Sequence, residues 1–399
     1  MTPNTVLSKH TIDIIKATVP LLQERGGEIT TRFYEIMFTK YPELLNIFNH
    51  ANQKKGRQPQ ALANAVYAAA VHIENLEAIL PAVKQIAHKH RSLGVVKEQY
   101  PIVGSCLLQA IQEVANAPQE VLDAWAEAYG VLADAFISAE ADMYKEAKER
   151  AWAGFRHFTV VKKIQESEVI TSFYLQPADE KPLSGFKPGQ YVTVKVSIPG
   201  EHYTLNRQYS LSGENGAPYY RISVKRESTE PAGLVSNYLH DHIGVGDTLE
   251  LSAPAGDFIL NEQSTLPVIL ISGGVGITPM LSMLHALKYT TREVYFIHGA
   301  RNGRMHAFAE EVKSVKTDDM HIYTFYSAPE EKDRHNLAFN QEGLIDVEWL
   351  RSIIPTCEAE VYFCGPVPFM QHIKQAVTAL GIAPENIHYE FFGPSVALE

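Results

Sequence analysis

Between Thr11 and Arg150 apolar residues recur at three- and four-residue intervals and nowhere alternate strictly, which is the spacing of helices that bury one face. This stretch predicts roughly six or more helices with short connectors, an all-α domain. After Trp152 the period changes. Short runs at 159–164, 169–175, 191–198, 219–224 and 248–252 are rich in β-branched and aromatic residues and are separated by Gly and Pro, so they predict the strands of a small antiparallel barrel. From Pro267 onward, apolar runs at 268–272, 294–298, 321–326, 360–364 and 387–391 alternate with helical patterns after Pro279, at 308–315 and through Lys374. That alternation marks βαβ units on a parallel sheet. The expected architecture is multidomain: an all-α domain over 1–150, an antiparallel β-barrel over 151–262 and an α/β parallel-sheet domain over 263–399, with a linker at 148–155. There are no internal repeats or low-complexity tracts.

The 399 residues suffice for several separate cores. A net charge of −11 argues against nucleic acid or an anionic membrane as the main partner, since both attract a concentrated positive field. Cys106, Cys357 and Cys364 are odd in number and scattered, which fits neither a disulfide framework nor a metal quartet and suggests a reducing compartment. Residues 1–20 lack a signal-peptide core, and no apolar stretch is long enough to span a bilayer. A soluble, unprocessed, cytoplasmic chain is expected.

In 82–94 the stripe Val83, Ile86, His90 and Leu93 keeps helical spacing, with Pro81 suited to the first turn and Gly94 to the C-cap, so His90 faces inward while His88 is expected in solvent. A lone histidine on an apolar face is more often a satisfied core residue than a ligand. Glu140 lies on a second stripe with Trp125, Tyr129, Leu132, Phe136 and Met143, where an unpaired carboxylate would be costly. Either that stripe has reached solvent by position 140 or Glu140 has a buried partner, with Tyr100, just before Pro101, a candidate.

In the barrel region, Arg207-Gln208-Tyr209-Ser210 reads as a strand whose alternate residues face opposite ways. Arg207 can neutralise a pyrophosphate, Tyr209 can stack on an isoalloxazine, and the Ser210 hydroxyl can hydrogen-bond near flavin N5. The bland alternative is a barrel strand with a surface arginine. Tyr191, after the Pro188-Gly189 turn, is a second candidate to lie against a flat ring. Further on, Gly273-Gly274-Val275-Gly276-Ile277-Thr278-Pro279 follows an apolar strand and opens a helix, which places backbone amides where they can meet a pyrophosphate. Its glycines do not fit G-x-G-x-x-G, so an ordinary dinucleotide fold is disfavoured. Past 298, Arg301 and Arg304 stand where a carboxylate would grip a free ribose diol, an arrangement that tolerates a 2′-phosphate and leaves NADPH or NADH open.

The chain resembles the flavohaemoglobins, a globin fused to a ferredoxin-reductase-like FAD/NAD(P) module. In the helical part the resemblance rests on Phe33-Tyr34, Pro42-Glu43-Leu44, Ile47-Phe48-Asn49, Asn52-Gln53, Gln58 with Leu62, His88-Lys89-His90, Tyr100 with Ile102-Val103-Gly104, and 128–133. Beyond it the matching runs are 207–210, Gly233-Leu234-Val235-Ser236-Asn237, the glycine run at 273–279, Cys364-Gly365-Pro366, and 388–394. The resemblance implies haem b with His90 as the iron ligand, and Tyr100 and Glu140 bonded to the other ring nitrogen. On the other haem face it implies Tyr34, Gln58 and Leu62, with Phe48 stacking on the macrocycle. It makes Val235 and Ser236 a second pyrophosphate-binding element, sets Cys364, Gly365 and Pro366 beside the nicotinamide, lets Phe392 shield the flavin, and puts Glu390 between flavin and haem near Lys89. The implied activity is nitric oxide dioxygenation: NAD(P)H reduces FAD, FAD reduces haem iron, and O₂ with NO yields nitrate. A reductase of peroxides or other acceptors would use the same modules, and an oxygen or NO sensor or store is the alternative from another class. NO and O₂ are the expected small-molecule partners, a lipid is a further candidate for the haem pocket, and a monomer is expected.

Overall fold

The computed structural model describes residues 7–48 and 56–393, so Asn49, Asn52, Gln53 and Pro394 of the quoted runs lie outside the described residues. The chain forms two compact units, one running to Gly154 and including Lys195–Arg207 and Gly393, the other made of Phe155–Val194 and Gln208–Phe392.

The first unit is helical: α1 Lys9–Ala17, α2 Val19–Lys40, α3 Arg57–Val71, α4 Leu80–Leu93, α5 Tyr100–Ala115 and α6 Gln119–Arg150, with single 3₁₀ turns in three connectors. Ser8 caps α1 by accepting the Thr11 amide at 3.0 Å. The apolar stripes meet in a core that includes Ile29, Phe33, Met37, Ala110, Ile111, Trp125 and Ala128. The α4 punctuation follows the sequence expectation, with Pro81 in its first turn and Gly94 left-handed (φ 81°) at its C-cap. At the crossing of α5 and α6 a Cβ on Gly104 would come within 2.6 Å of the Tyr129 ring, so only glycine permits that approach.

Two sheets follow, lying in the second unit except for the end of β3 and the first half of β4. The first has β1 Phe155–Gln165, β2 Ile170–Pro177, β3 Tyr191–Val196, β4 Leu205–Ser210, β5 Tyr220–Lys225 and β6 Thr248–Ser252, in the order β4-β3-β6-β1-β2-β5. Its β1–β2, β1–β6 and β2–β5 pairs are antiparallel. Just past β4, Leu211 bridges Ile222 of β5, which joins the two end strands and closes the barrel. The run at 191–198 is shorter than expected, ending at Val196 ahead of the Pro199-Gly200 turn. A helix absent from the expectation, α7 Leu234–His242, follows Gly233.

The second sheet is parallel, with β7 Val268–Gly273, β8 Val294–Ala300, β9 Met320–Tyr326, β10 Gln341–Glu342, β11 Glu360–Cys364 and β12 Ile387–Glu390 in the order β10-β9-β8-β7-β11-β12. Its helices are α8 Ile277–Leu287, α9 Ala309–Ser314, α10 Glu331–His335, α11 Val347–Ile353 and α12 Val367–Ala379. The helix expected at 308–315 is trimmed because Phe308 takes a left-handed φ of 65°. The chain winds outward from β7 through β8 and β9, then returns to the other side of β7 to form β11. The gap between the carboxyl ends of β7 and β11 is therefore a topological switch point, where α/β sheets open a ligand crevice.

Candidate functional site

In the helical unit, His90 Nδ1 lies 2.8 Å from Glu140 Oε1 and 3.2 Å from Tyr100 Oη. Tyr100 Oη donates to the same carboxylate oxygen at 2.6 Å. Glu140 is only 3% exposed, so it has not reached solvent and the buried-partner reading holds. Burial and the neighbouring Glu140 push the Tyr100 phenol well above its ordinary range, which keeps it a donor. A carboxylate can only accept, so the hydrogen on the imidazole sits on Nδ1 and Nε2 keeps its lone pair. Among the described residues no hydrogen bond engages Nε2. A metal-binding nitrogen whose ring is fixed from behind fits a haem iron. His88, expected in solvent, is instead half-buried.

Tyr34 of α2 is buried, with its ring centroid 5.7 Å from Phe38 and 5.9 Å from Phe48. Leu62 of α3 packs against the same core, and Gln58 stands one turn earlier on that helix, half-buried. Four of the implied pocket residues thus come from α2, α3 and the segment between them. Lys89 Nζ donates to the Gly393 carbonyl at 3.0 Å.

On β4, Arg207 and Tyr209 are half-buried, Gln208 is exposed and Ser210 is 5% exposed. The Ser210 Oγ has no hydrogen-bond partner among the described residues. A buried hydroxyl left without a protein partner is costly, and it fits a polar ring atom of a bound flavin. Tyr191 starts β3, and its ring lies against Gly256, where a Cβ would come within 3.0 Å. At the start of α7, Val235 is buried while the Ser236 hydroxyl donates to Gly233 O at 3.2 Å and accepts from Glu227 N at 3.4 Å, so it tightens its own turn.

At the switch point the two distant motifs meet. A Cβ on Gly276 would stand 2.2 Å from the Cys364 carbonyl oxygen and 2.8 Å from Gly365 N. Gly274 has a φ of 54° with open space above it, the form of a backbone cradle for phosphate at the entrance to α8. Thr278 and Pro279 are buried in the first turn of that helix. Cys364 is fully buried; burial pushes its thiol well above the ordinary range, and Sγ donates to Glu390 O at 3.3 Å. Phe392 is about half exposed, at 49%, and Glu390 is buried. Of the two arginines past β8, Arg304 is held by Glu168 at 2.9 Å and Glu330 at 2.5 Å, whereas Arg301 is exposed.

Sequence reasoning missed Ser282, His285 and Arg221, buried where the barrel meets the parallel-sheet region, and the half-buried Glu311 that joins them. The signal was available for two of them, since Ser282 and His285 are, after Thr278 of its first turn, the polar residues of a helix otherwise apolar all round.

Three family models match in series: Globin at residues 31–136, Oxidoreductase FAD-binding domain at 157–259 and Oxidoreductase NAD-binding domain at 270–375. A flavohemoprotein of Bacillus thuringiensis subsp. konkukian is 64% identical over 402 residues, covering 99% of this chain and 100% of the relative. That of Bacillus subtilis is 50% identical over 400 residues, covering 98% and 99%. Among solved structures, the flavohemoglobin from Malassezia yamatoensis with bound FAD and heme superposes with a TM-score of 0.86 at 28% identity, covering 98% of this chain and 100% of that one. The FAD/NAD-binding domain of a nitric oxide dioxygenase from Vibrio cholerae matches with a TM-score of 0.55 at 38% identity, over 60% of this chain and 99% of that one. Haem, FAD and a nicotinamide nucleotide are the cofactors of these modules, and the chain is an oxidoreductase. With sequence identity this high across its whole length, the chain belongs to the flavohemoprotein family.

Proposed function

We propose that this oxidoreductase is a nitric oxide dioxygenase that consumes NAD(P)H, with haem over 1–150, FAD over 151–262 and the nicotinamide over 263–399. The observation that carries the reading is the His90–Tyr100–Glu140 cluster, in which a buried carboxylate pulls on the imidazole Nδ1–H at 2.8 Å. An oxygen store has no use for an electron-rich iron ligand, nor for a hydride-consuming reductase on the same chain. When bound, the cofactors supply hydride acceptance, one-electron delivery and an iron centre at which O₂ and NO become nitrate.

The protein's own part is positioning and proton control. Glu140 and Tyr100 fix the tautomer and orientation of His90. Tyr34 and Gln58 would offer a phenol and an amide to a small polar ligand in the haem pocket, and Leu62 and Phe48 would keep that pocket apolar. The Gly274–Gly276 turn and Cys364–Pro366 would hold the nicotinamide, and the unpartnered Ser210 hydroxyl would meet a polar atom of the flavin. The Vibrio cholerae relative, whose parent protein is named a nitric oxide dioxygenase, supports the reading. All three cysteines are free, which suits a reducing cytoplasm.

Anaerobic reduction with NADPH and then NADH, followed by air and a pulse of NO, tests the proposal through haem and flavin absorbance and a nitrate assay. Nitrate formed in step with the NO added supports it. Flavin that bleaches while haem stays ferric would favour reduction of external acceptors at the flavin, an activity that survives Tyr34→Phe.

A further inference from the structure

Helix α8 begins at the glycine turn that faces the nicotinamide crevice, and its flank is anchored to the flavin barrel at two points, one buried and one partly buried. At the first, the Gly189 amide donates to Ser282 Oγ at 2.8 Å, and Ser282 is 1% exposed. Gly189 belongs to the turn that feeds β3 and its Tyr191, and no other residue fits there. Its φ is 102°, and a Cβ would stand 2.1 Å from Phe258 O and 2.6 Å from the Met283 methyl. At the second, Arg221 of β5 grips Glu311 through both guanidinium arms at 2.7 Å, and His285 of α8 meets the same carboxylate at 2.7 Å. Glu311 is in the first turn of α9, so the cluster ties two helices of the parallel-sheet region to one barrel strand.

We propose that Ser282 and the Arg221–Glu311–His285 cluster are positioning residues for hydride transfer, holding α8 in one register against the flavin strands. Ser282 lies five residues along α8 from Ile277, about 7.5 Å of helix rise. A slip of the helix is thereby passed directly to the Gly274–Gly276 turn. Hydride transfer is steep in distance, and a displacement near 1 Å can cost about a hundredfold in rate. Ser282 is 1% and Arg221 5% exposed, so neither exchanges its partner for water at little cost. The inference needs only the nicotinamide and flavin sites and is independent of what the haem does.

The test uses the full-length protein loaded with its cofactors and two variants, Ser282→Ala and Glu311→Gln, each removing one anchor with little change of shape. Anaerobic stopped-flow flavin reduction by NADPH and NADH is read together with nicotinamide–flavin charge-transfer absorbance, ADP-ribose affinity, and hydrogen exchange of the 187–191 amides. The expected result is a fall of about tenfold in the reduction rate, a weaker charge-transfer band, faster exchange at 187–191 in Ser282→Ala, and unchanged FAD content and ADP-ribose affinity. Reduction within about threefold of the parent in both variants, or losses that merely track lost FAD, would overturn the proposal. Should Ser282→Ala not fold, the rate and charge-transfer band of Glu311→Gln decide between the same two results.

Discussion

Replacing Glu140 by Gln keeps the shape of the side chain and removes the charge that His90 Nδ1–H meets at 2.8 Å and Tyr100 Oη at 2.6 Å. A hydrogen bond to a charged group contributes about 1.5–3 kcal/mol and one between neutral groups about 0.5–1.5 kcal/mol. The midpoints of those ranges differ by about 1.25 kcal/mol. Oxidised iron draws more electron density from the imidazole and makes Nδ1–H the better donor, so the charged bond favours the ferric state by roughly that amount. For one electron this corresponds to about 54 mV, or roughly 60 mV within the spread of those ranges. Glu140→Gln should therefore raise the haem midpoint potential by about 60 mV in a spectroelectrochemical titration, with haem content and helicity unchanged. A midpoint that stays put or falls would refute the idea that this carboxylate makes the iron ligand electron-rich.

Gly104→Ala sets a methyl within 2.6 Å of the Tyr129 ring and should destabilise the helical unit by about 1–3 kcal/mol, seen as a lower denaturant midpoint with a disturbed haem band. Gly276→Ala drives a Cβ into the Cys364 carbonyl, so NAD(P)H-dependent flavin reduction should be lost while FAD stays bound; normal reduction kinetics would mean the crevice is elsewhere. Burial alone would raise the Glu311 carboxyl, but its bonds to His285 and Arg221 overcome that and draw it from 4.5 down to about 2. Because the folded carboxyl titrates lower than the unfolded one, its stabilisation is complete above about pH 4.5 and fades as pH falls toward 2, at most about 3 kcal/mol. Acid titration of unfolding should show that slope in the parent and a shallower one in Glu311→Gln.

Period and punctuation made most of the fold legible. The stripe through His90, with its proline start and glycine stop, and the misfit of the 273–279 glycines to the ordinary dinucleotide pattern both correspond to features of the structure. Short elements were harder to read. Helices α10 and α11 span five and seven residues, too few for a period to declare itself, and the two residues of β10 form a strand only because β9 lies beside them. The Glu140 question could not be decided from its stripe, since burial depends on Tyr100 and His90 arriving from other helices. The anchors on α8 were hidden for the same reason. Arg221 sits in a run, Tyr220–Lys225, that reads as a plain barrel strand, and its partner is 90 residues away.

The placement of β11 beside β7 also bears on how the chain is made. The two strands pair across more than ninety positions, and β12 joins only after them. During synthesis the helical unit has all of α1 to α6 long before the glycine turn meets Cys364 and Gly365. If that turn holds the nicotinamide as proposed, reductant can dock only when translation is nearly finished. On the proposed reading, an unfinished chain would draw no electrons from the nicotinamide pool, because the order in which its strands are delivered leaves the reductant's crevice until last.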